Sequence, residues 1–248
     1  MFQNTLSTEK KVVFILKLAL AINIAFWLYS RNIKSEWLNV PPAPDKKYAA
    51  SYGIGDGQFA YRVIGLMIQN FGDSGGRATA LKVYNYNHLT HWFYVEDALD
   101  PVSNFSPYLA AYYFSALQEP EKYRPVLSYL RDVGIRAEGE KWRFLVQAVV
   151  VARKIMGDLD TSLSLANELA NHPKKDIPVF TKQMPAFVLR EKGDKELAYT
   201  IMVEILKSSA DKLRAEEVNQ MVYHICNQIL SEEEAKKDPL CANITKYK

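Results

Sequence analysis

The chain has 248 residues, of which 48% are hydrophobic and 24% are charged, a composition typical of a folded protein and not of a disordered or collagen-like one. Its length predicts one compact domain with an appendage. Of the 31 basic and 28 acidic residues, four basic and one acidic lie in the first 31 positions, which leaves 27 of each sign in the remainder. That remainder lacks the excess of Lys and Arg on which nucleic-acid binding depends, so we expect no nucleic-acid partner.

The first predicted element is a single membrane-spanning helix over residues 12–30, which follows an N-terminal segment of residues 1–11. Its apolar run reads VVFILKLALAINIAFWLY, and a helix of that length covers roughly 27 Å, enough to cross the hydrocarbon core. Trp27 and Tyr29 lie where interfacial aromatics occur, and basic residues flank both ends. No small-x-small cleavage site follows the run, which favours an uncleaved anchor over a signal peptide.

Four residues within the span form a candidate contact surface for a membrane partner: Lys17, Ala21, Asn23 and Ala25. Lys17 either extends toward the headgroups or pairs with an acidic residue of a neighbouring helix. Asn23 and the two alanines, four positions apart, favour helix association. Basic residues are balanced across the span, and only the free amino terminus favours an N-inside orientation. In a bacterial inner membrane, that orientation places the soluble domain on the periplasmic, non-cytoplasmic face.

After the anchor, residues 31–56 predict an extended linker, because prolines cluster at its centre and glycines at its end. From 57 to 231 the apolar residues recur at helical spacing, which predicts an all-α domain, and residues 232–248 predict a charged tail. Gly and Pro breaks divide the domain into helices over 57–71, 87–99, 106–117, a segment ending near 133, 141–156, 160–171, a segment ending at 192, 195–208 and 212–231. Ser106 is the predicted N-cap of the third.

Two turns in the C-terminal half share one pattern. Each has a Gly-Asp pair, at Gly157 and at Gly193, and the two pairs are 36 positions apart. A small residue follows each glycine by five positions, Ser162 in one case and Ala198 in the other. This pattern resembles the tetratricopeptide repeat, in which a glycine ends the first helix of a hairpin and a small residue in the second helix allows close packing.

The resemblance covers residues 141–209 and, more loosely, residues 104–133. The chain departs from the repeat in lacking its large helix-A residues and, in the second unit, its closing proline. The resemblance implies that residues 57–231 form an array of α-helical hairpins, an α-solenoid. Such an array leaves an extended surface on which a protein partner binds.

Histidines and acids offer one metal-site hypothesis. His88 and His91 are three positions apart on a predicted helix, where both could bind one metal ion with Glu96, Asp97 or Asp100 as a third ligand. The spacing lacks the Glu of a zinc-protease helix, and an aromatic packing region accounts for it more simply. No P-loop, Gly-x-Ser-x-Gly or Cys-x-x-Cys sequence occurs. We therefore expect a non-enzymatic protein without a cofactor.

The two cysteines are too few for a disulfide framework. We expect Cys226 to be buried on a helix and Cys241 to be exposed in the tail, both unpaired. A disulfide between them is the minor alternative, and it requires an oxidising compartment.

Aromatic residues concentrate between positions 48 and 129, where 17 of the 30 lie. Core packing is the stronger interpretation for the set as a whole, and a peptide-binding groove is the alternative. The candidate groove residues are Tyr84, Tyr86, Trp92, Phe93, Tyr94, Tyr108, Tyr112 and Tyr113. Trp92 and Phe93 are adjacent in sequence, as are Tyr112 and Tyr113, so the side chains of each pair point about 100° apart on a helix. The groove hypothesis expects one member of each pair to be exposed.

These observations favour a membrane-anchored scaffold or assembly factor that binds a protein partner through a helical-repeat surface and through its transmembrane helix. The first alternative is a structural subunit of a larger membrane complex. The second is a metal-dependent module that uses His88 and His91.

Overall fold

The computed structural model describes residues 2–31, 39–74, 77–116, 119–209 and 211–242. The chain divides into two units, Met1–Leu38 and Asn39–Lys248. The α-helices of the described residues are α1 (Phe2–Ser30), α2 (Gly57–Gln69), α3 (Tyr86–Leu99), α4 (Phe105–Tyr108), α5 (Arg124–Gly134), α6 (Trp142–Val150), α7 (Leu159–Ala170), α8 (Phe180–Lys192), α9 (Lys195–Ser208), α10 (Ala215–His224) and α11 (Glu232–Lys237). One two-residue antiparallel pair, β1 (Asp73–Ser74) with β2 (Arg77–Ala78), interrupts the loop between α2 and α3.

In the first unit, α1 contains the apolar stretch Lys11–Ser30, whose mean hydropathy is 2.1. The helix is long and apolar enough to cross a membrane. No side chain of this stretch is buried within the structure. All are exposed except that of Ser30, which is half-buried. The amide of Asn23 donates to the carbonyl oxygen of Ala19 at 2.9 Å, so its polar group is bonded within the helix itself.

The segment before α2 belongs to the folded domain, and the expectation of an extended linker over 31–56 was wrong for its described part. Val40 is buried, and Lys46–Gly53 forms a 3₁₀ helix that packs on α2 and α3. Residues 40–45 have no regular secondary structure, and side chains of α3 bond to backbone carbonyl groups of this segment. Trp92 Nε1 donates to the oxygen of Pro41 at 2.8 Å. Residues 32–38 lie outside the described part.

Helix α3 is the centre of the larger core. It packs against α2, α4, α5 and the 3₁₀ helix, so neighbours surround it on nearly every side. Its Phe93 ring stacks on Tyr129 of α5 with centroids 5.3 Å apart, and its Trp92 ring lies 5.5 Å from Phe71. A helix enclosed in this way buries residues on all faces.

From α5 to α9, each helix packs against the next one along the chain. The hairpins α6–α7 and α8–α9 have matching turns, because Gly157 and Gly193 both adopt the left-handed conformation, with φ of 67° and 91°. The aspartate after each glycine caps the second helix by accepting a backbone N–H hydrogen bond. Ser162 and Ala198, the small residues of the second helices, are fully buried.

Some helix ends differ from expectation. The third predicted helix, 106–117, is the short α4 followed by a π-helical turn over Leu109–Tyr113. Ser106 is not its N-cap, because it lies inside α4 with its hydroxyl donating to Glu96 Oε2 at 2.6 Å. The Ser106 hydroxyl therefore bonds to the buried Glu96 carboxyl group and does not cap a helix. Helices α6 and α10 also end in π-helical turns.

The expected charged tail is folded as far as residue 242. Cys226 and Cys241 form a disulfide, with Cα atoms 5.8 Å apart, so the expectation of two unpaired thiols was wrong. The hydroxyl of Tyr199 donates to Asp238 at 2.6 Å, which holds the same segment against α9. These links bring together residues that the sequence pattern treats separately. Residues 243–248 lie outside the described part.

Candidate functional site

The eight candidate aromatic residues form a buried group and an exposed group, with one residue between them in exposure. Four are buried: Tyr84, Tyr86, Trp92 and Phe93. Tyr94 is half-buried. Three are exposed, by 58%, 46% and 52% respectively: Tyr108, Tyr112 and Tyr113. The expected arrangement, with one exposed member in each adjacent pair, is therefore wrong for both pairs.

The buried group belongs to the core because α3 has neighbours all round, and its polar atoms have internal partners. The hydroxyl of Tyr84 donates to the carbonyl of Phe71, and the indole of Trp92 to that of Pro41. The hydroxyl of Tyr94 donates to Asp132 at 2.6 Å, and burial raises the pKa of Tyr94 above its usual range. The four buried residues stabilise the fold, whereas Tyr94 also lines a cavity of about 560 Å³ beside Lys46 and His91.

Of the exposed group, Tyr112 lines a groove of about 550 Å³, which we call the aromatic groove. Its apolar lining comes from Tyr112, Trp142, Val146, Pro178 and Phe180, and its polar lining from Glu140, Arg143, Gln147, Lys174 and Asp176. It is formed by α6, the start of α8 and the loop before α8, with Tyr112 contributed by the π-helical turn after α4.

Ring contacts and one hydrogen bond hold the aromatic groove in shape. The rings of Trp142 and Phe180 meet edge to face with centroids 6.0 Å apart. Gln147 Nε2 donates to the Tyr112 hydroxyl at 3.0 Å, and the Tyr112 ring lies 4.7 Å from that of Tyr108. The aromatic surface thus continues from the groove onto Tyr108.

The charged lining residues are balanced, with two acids and two bases. Arg143 forms a 2.9 Å ion pair with Glu140 and lies over the Trp142 ring at 5.5 Å. Both partners of the ion pair are more than half exposed, so its contribution to stability is small. The groove therefore suits an occupant with apolar side chains, polar backbone groups and little net charge.

Two residues of the groove, Trp142 and Phe180, were absent from the candidate set. They are the first residues of α6 and α8, the first helices of the two matching hairpins. They lie 38 positions apart, whereas the Gly-Asp turns of the two hairpins lie 36 apart, so neither the repeat spacing nor local aromatic density finds them.

The structure gives two of the candidate metal ligands other partners. His88 Nδ1 bonds to the carbonyl of Val40 at 2.9 Å, and Asp97 is paired with the guanidinium of Arg136. Within the described ranges, no group of three or more His, Cys, Asp or Glu side chains is placed to hold a metal ion. The packing of residues 39–56 on α3 occupies His88 in a way that local spacing does not reveal.

The candidate contact surface in α1 is divided. Lys17, Ala21 and Ala25 follow one another at four-residue intervals, so they share one face of the helix. Asn23 is two positions from each alanine and therefore points to the other side. Any membrane partner that contacts the first three residues does not contact Asn23 at the same time.

A search of protein-family models finds no match to the chain, and no curated protein or solved structure is significantly similar to it.

Proposed function

We propose that the protein is a membrane-anchored, non-enzymatic scaffold that binds an extended segment of another protein in the aromatic groove. The observation that carries the proposal is the continuous exposed surface of Tyr108 and Tyr112 beside Trp142 and Phe180. Contiguous exposed aromatic surface on a protein often marks an interaction site, and Tyr and Trp dominate the energy of protein interfaces.

The size and position of the groove support a peptide occupant. Ligand pockets typically enclose about 300–1,000 Å³, so a groove of about 550 Å³ holds a few side chains and not a whole domain. It lies on α6 and α8, the first helices of the matching hairpins. In the proposed tetratricopeptide-like array, stacked hairpins present an extended concave surface of this kind.

The proposed anchor is the Lys11–Ser30 stretch of α1. We place the domain on the non-cytoplasmic side, and the Cys226–Cys241 disulfide supports this side, because disulfides persist in oxidising compartments and are rare in the cytosol. The face that carries Lys17, Ala21 and Ala25 is the proposed contact for a membrane partner.

Site-directed photo-crosslinking of the full chain in its native membranes tests the groove. A benzoylphenylalanine at Tyr112 should give a discrete protein adduct, which mass spectrometry identifies. The matched control is Tyr223 on α10, which is 57% exposed and does not line the groove. Equal adducts from the two positions, or adducts to lipid alone, would contradict a specific protein-binding groove.

The identified partner then allows a quantitative test. We expect Tyr112→Ala to weaken its binding by at least about fivefold, which corresponds to roughly 1 kcal/mol for an interface residue. The melting temperature should stay unchanged, since the side chain is exposed. Binding lost only together with thermal stability would instead make Tyr112 a structural residue.

A further inference from the structure

A second cavity, of about 420 Å³, lies between α2 and α4 and shares no lining residue with the aromatic groove. Its lining is largely apolar and includes Tyr61, Leu66 and Phe105. Leu66 is 60% exposed at its mouth, and Glu96 of α3 lies at its buried end. An apolar cavity that ends in one carboxyl group has the composition of a small-molecule site.

The Glu96 carboxyl is fully buried but only half satisfied. Its Oε2 accepts the hydrogen bond from Ser106, whereas Oε1 has no hydrogen-bond partner among the residues that the structure describes. Buried carboxylate oxygens without a donor are costly and rare. This oxygen is therefore available to a donor brought by a ligand.

Gly65 places no side chain between this oxygen and the cavity. A Cβ atom at residue 65 would lie 2.6 Å from Glu96 Oε1 and 3.0 Å from the Phe105 ring. Any other residue at this position would fill the space between the carboxyl and the cavity. Without a side chain at residue 65, Glu96 forms part of the cavity wall beside Gly65 and Phe105.

In the described part of the chain, Glu96 forms no ion pair, whereas the neighbouring charged side chains have partners of their own. Asp97 forms a bidentate pair with Arg136, at 2.6 and 3.1 Å. Arg62, which also lines the cavity, donates to the carbonyl of Gln58 at 2.8 Å and so is directed along its own helix. Tyr61 and Tyr129 also interact with the Glu96 carboxyl, and beyond them lie Asp100, beside Tyr61, and Lys141, whose ammonium group donates to the carbonyl of Ser103. Burial raises the pKa of Glu96 to about 7.

We propose that this cavity binds a small organic amine, with its ammonium group bonded to Glu96 Oε1 and its apolar body against Tyr61, Leu66 and Phe105. An ionised carboxylate accepts hydrogen bonds and donates none. A charge-assisted bond from an ammonium group is about twice as strong as a neutral one. A neutral alcohol lacks the charge, and an anionic ligand is repelled.

Titration of the full chain in mild detergent with benzylamine and with its neutral counterpart, benzyl alcohol, tests the proposal. At about pH 8 we expect benzylamine to bind at least about tenfold more tightly, a difference of roughly 1.4 kcal/mol. Glu96→Gln should remove this preference, whereas Glu204→Gln, at an exposed position of α9, should retain it. Benzylamine binding should weaken about tenfold between about pH 8 and pH 6, as Glu96 takes up a proton.

Three outcomes would overturn the assignment. The first is equal affinity for benzylamine and benzyl alcohol, and the second is a preference that survives in Glu96→Gln. The third concerns a lysine side chain, which carries the same ammonium group. If N-acetyllysine amide binds more tightly than benzylamine, the site recognises a protein segment and not a small amine.

Discussion

The buried carboxyl of Glu96 predicts how the stability of this protein depends on pH. In the folded chain its pKa is raised from the ordinary 4.5 to about 7, so the folded state holds this proton more tightly than the unfolded state does. The stabilisation that the protonated carboxyl gives is complete below about pH 4.5 and is lost as the pH rises through about 7.

Each tenfold change in proton affinity is worth about 1.4 kcal/mol, so this rise in pKa corresponds to roughly 3 kcal/mol. Glu96→Gln keeps the shape of the side chain but cannot ionise. We therefore expect the wild-type chain to lose roughly 3 kcal/mol of unfolding free energy, relative to Glu96→Gln, between about pH 4.5 and pH 8.

Urea unfolding of the full chain in mild detergent at several pH values measures this difference, with tryptophan fluorescence as the readout. Trp92 and Trp142 are both buried and report on the folded domain. The exposed Glu204→Gln is the control, because replacing a solvated side chain usually changes stability by less than about 0.5 kcal/mol. If the unfolding free energies of wild type and Glu96→Gln differ by the same amount at every pH, the carboxyl has the same pKa in the folded and unfolded chains. The reasoning then fails.

Two further predictions concern the helical hairpins and the disulfide. Ala198→Trp should lower the unfolding free energy by about 1–3 kcal/mol or more, because the ring must enter the closed contact between α8 and α9. Calorimetry should show little change in melting temperature for the control Thr200→Trp, at an exposed position of α9. An unchanged melting temperature for Ala198→Trp would contradict the hairpin packing. Alkylation of protein from native membranes should label Cys226 and Cys241 only after the disulfide is reduced. Reduction should lower the free energy of unfolding by about 3 kcal/mol, because the disulfide closes a 15-residue loop. Labelling before reduction would contradict both the disulfide and the proposed side of the membrane.

The helices themselves could be predicted from the sequence, because their signals are local. Apolar residues at helical spacing marked α2 and α3, and the predicted helix over 195–208 has the bounds of α9. The turns at Gly157 and Gly193 were also readable, since a glycine followed by a capping aspartate specifies a left-handed helix end and a new helix start within a few residues. The apolar length of α1 needed no tertiary information either.

The tertiary structure alone decided which of the aromatic residues are exposed. Trp92 and Phe93 are both buried and Tyr112 and Tyr113 both exposed, although each pair is adjacent in sequence. Helical spacing says which side chains share a face, but exposure depends on how many neighbours surround the helix, and those neighbours come from distant parts of the chain.

The same reason explains the other differences. The segment of residues 39–56 looked like a linker because prolines and glycines are common in linkers, yet α3 supplies donors for its carbonyl groups. The pairing of Cys226 with Cys241 depends on the return of the chain after α10. The contact between Glu96 Oε1 and Gly65 depends on the packing of α3 against α2. Local sequence determines helices and turns because their hydrogen bonds close within a few residues, whereas both candidate sites exist only where separate helices meet.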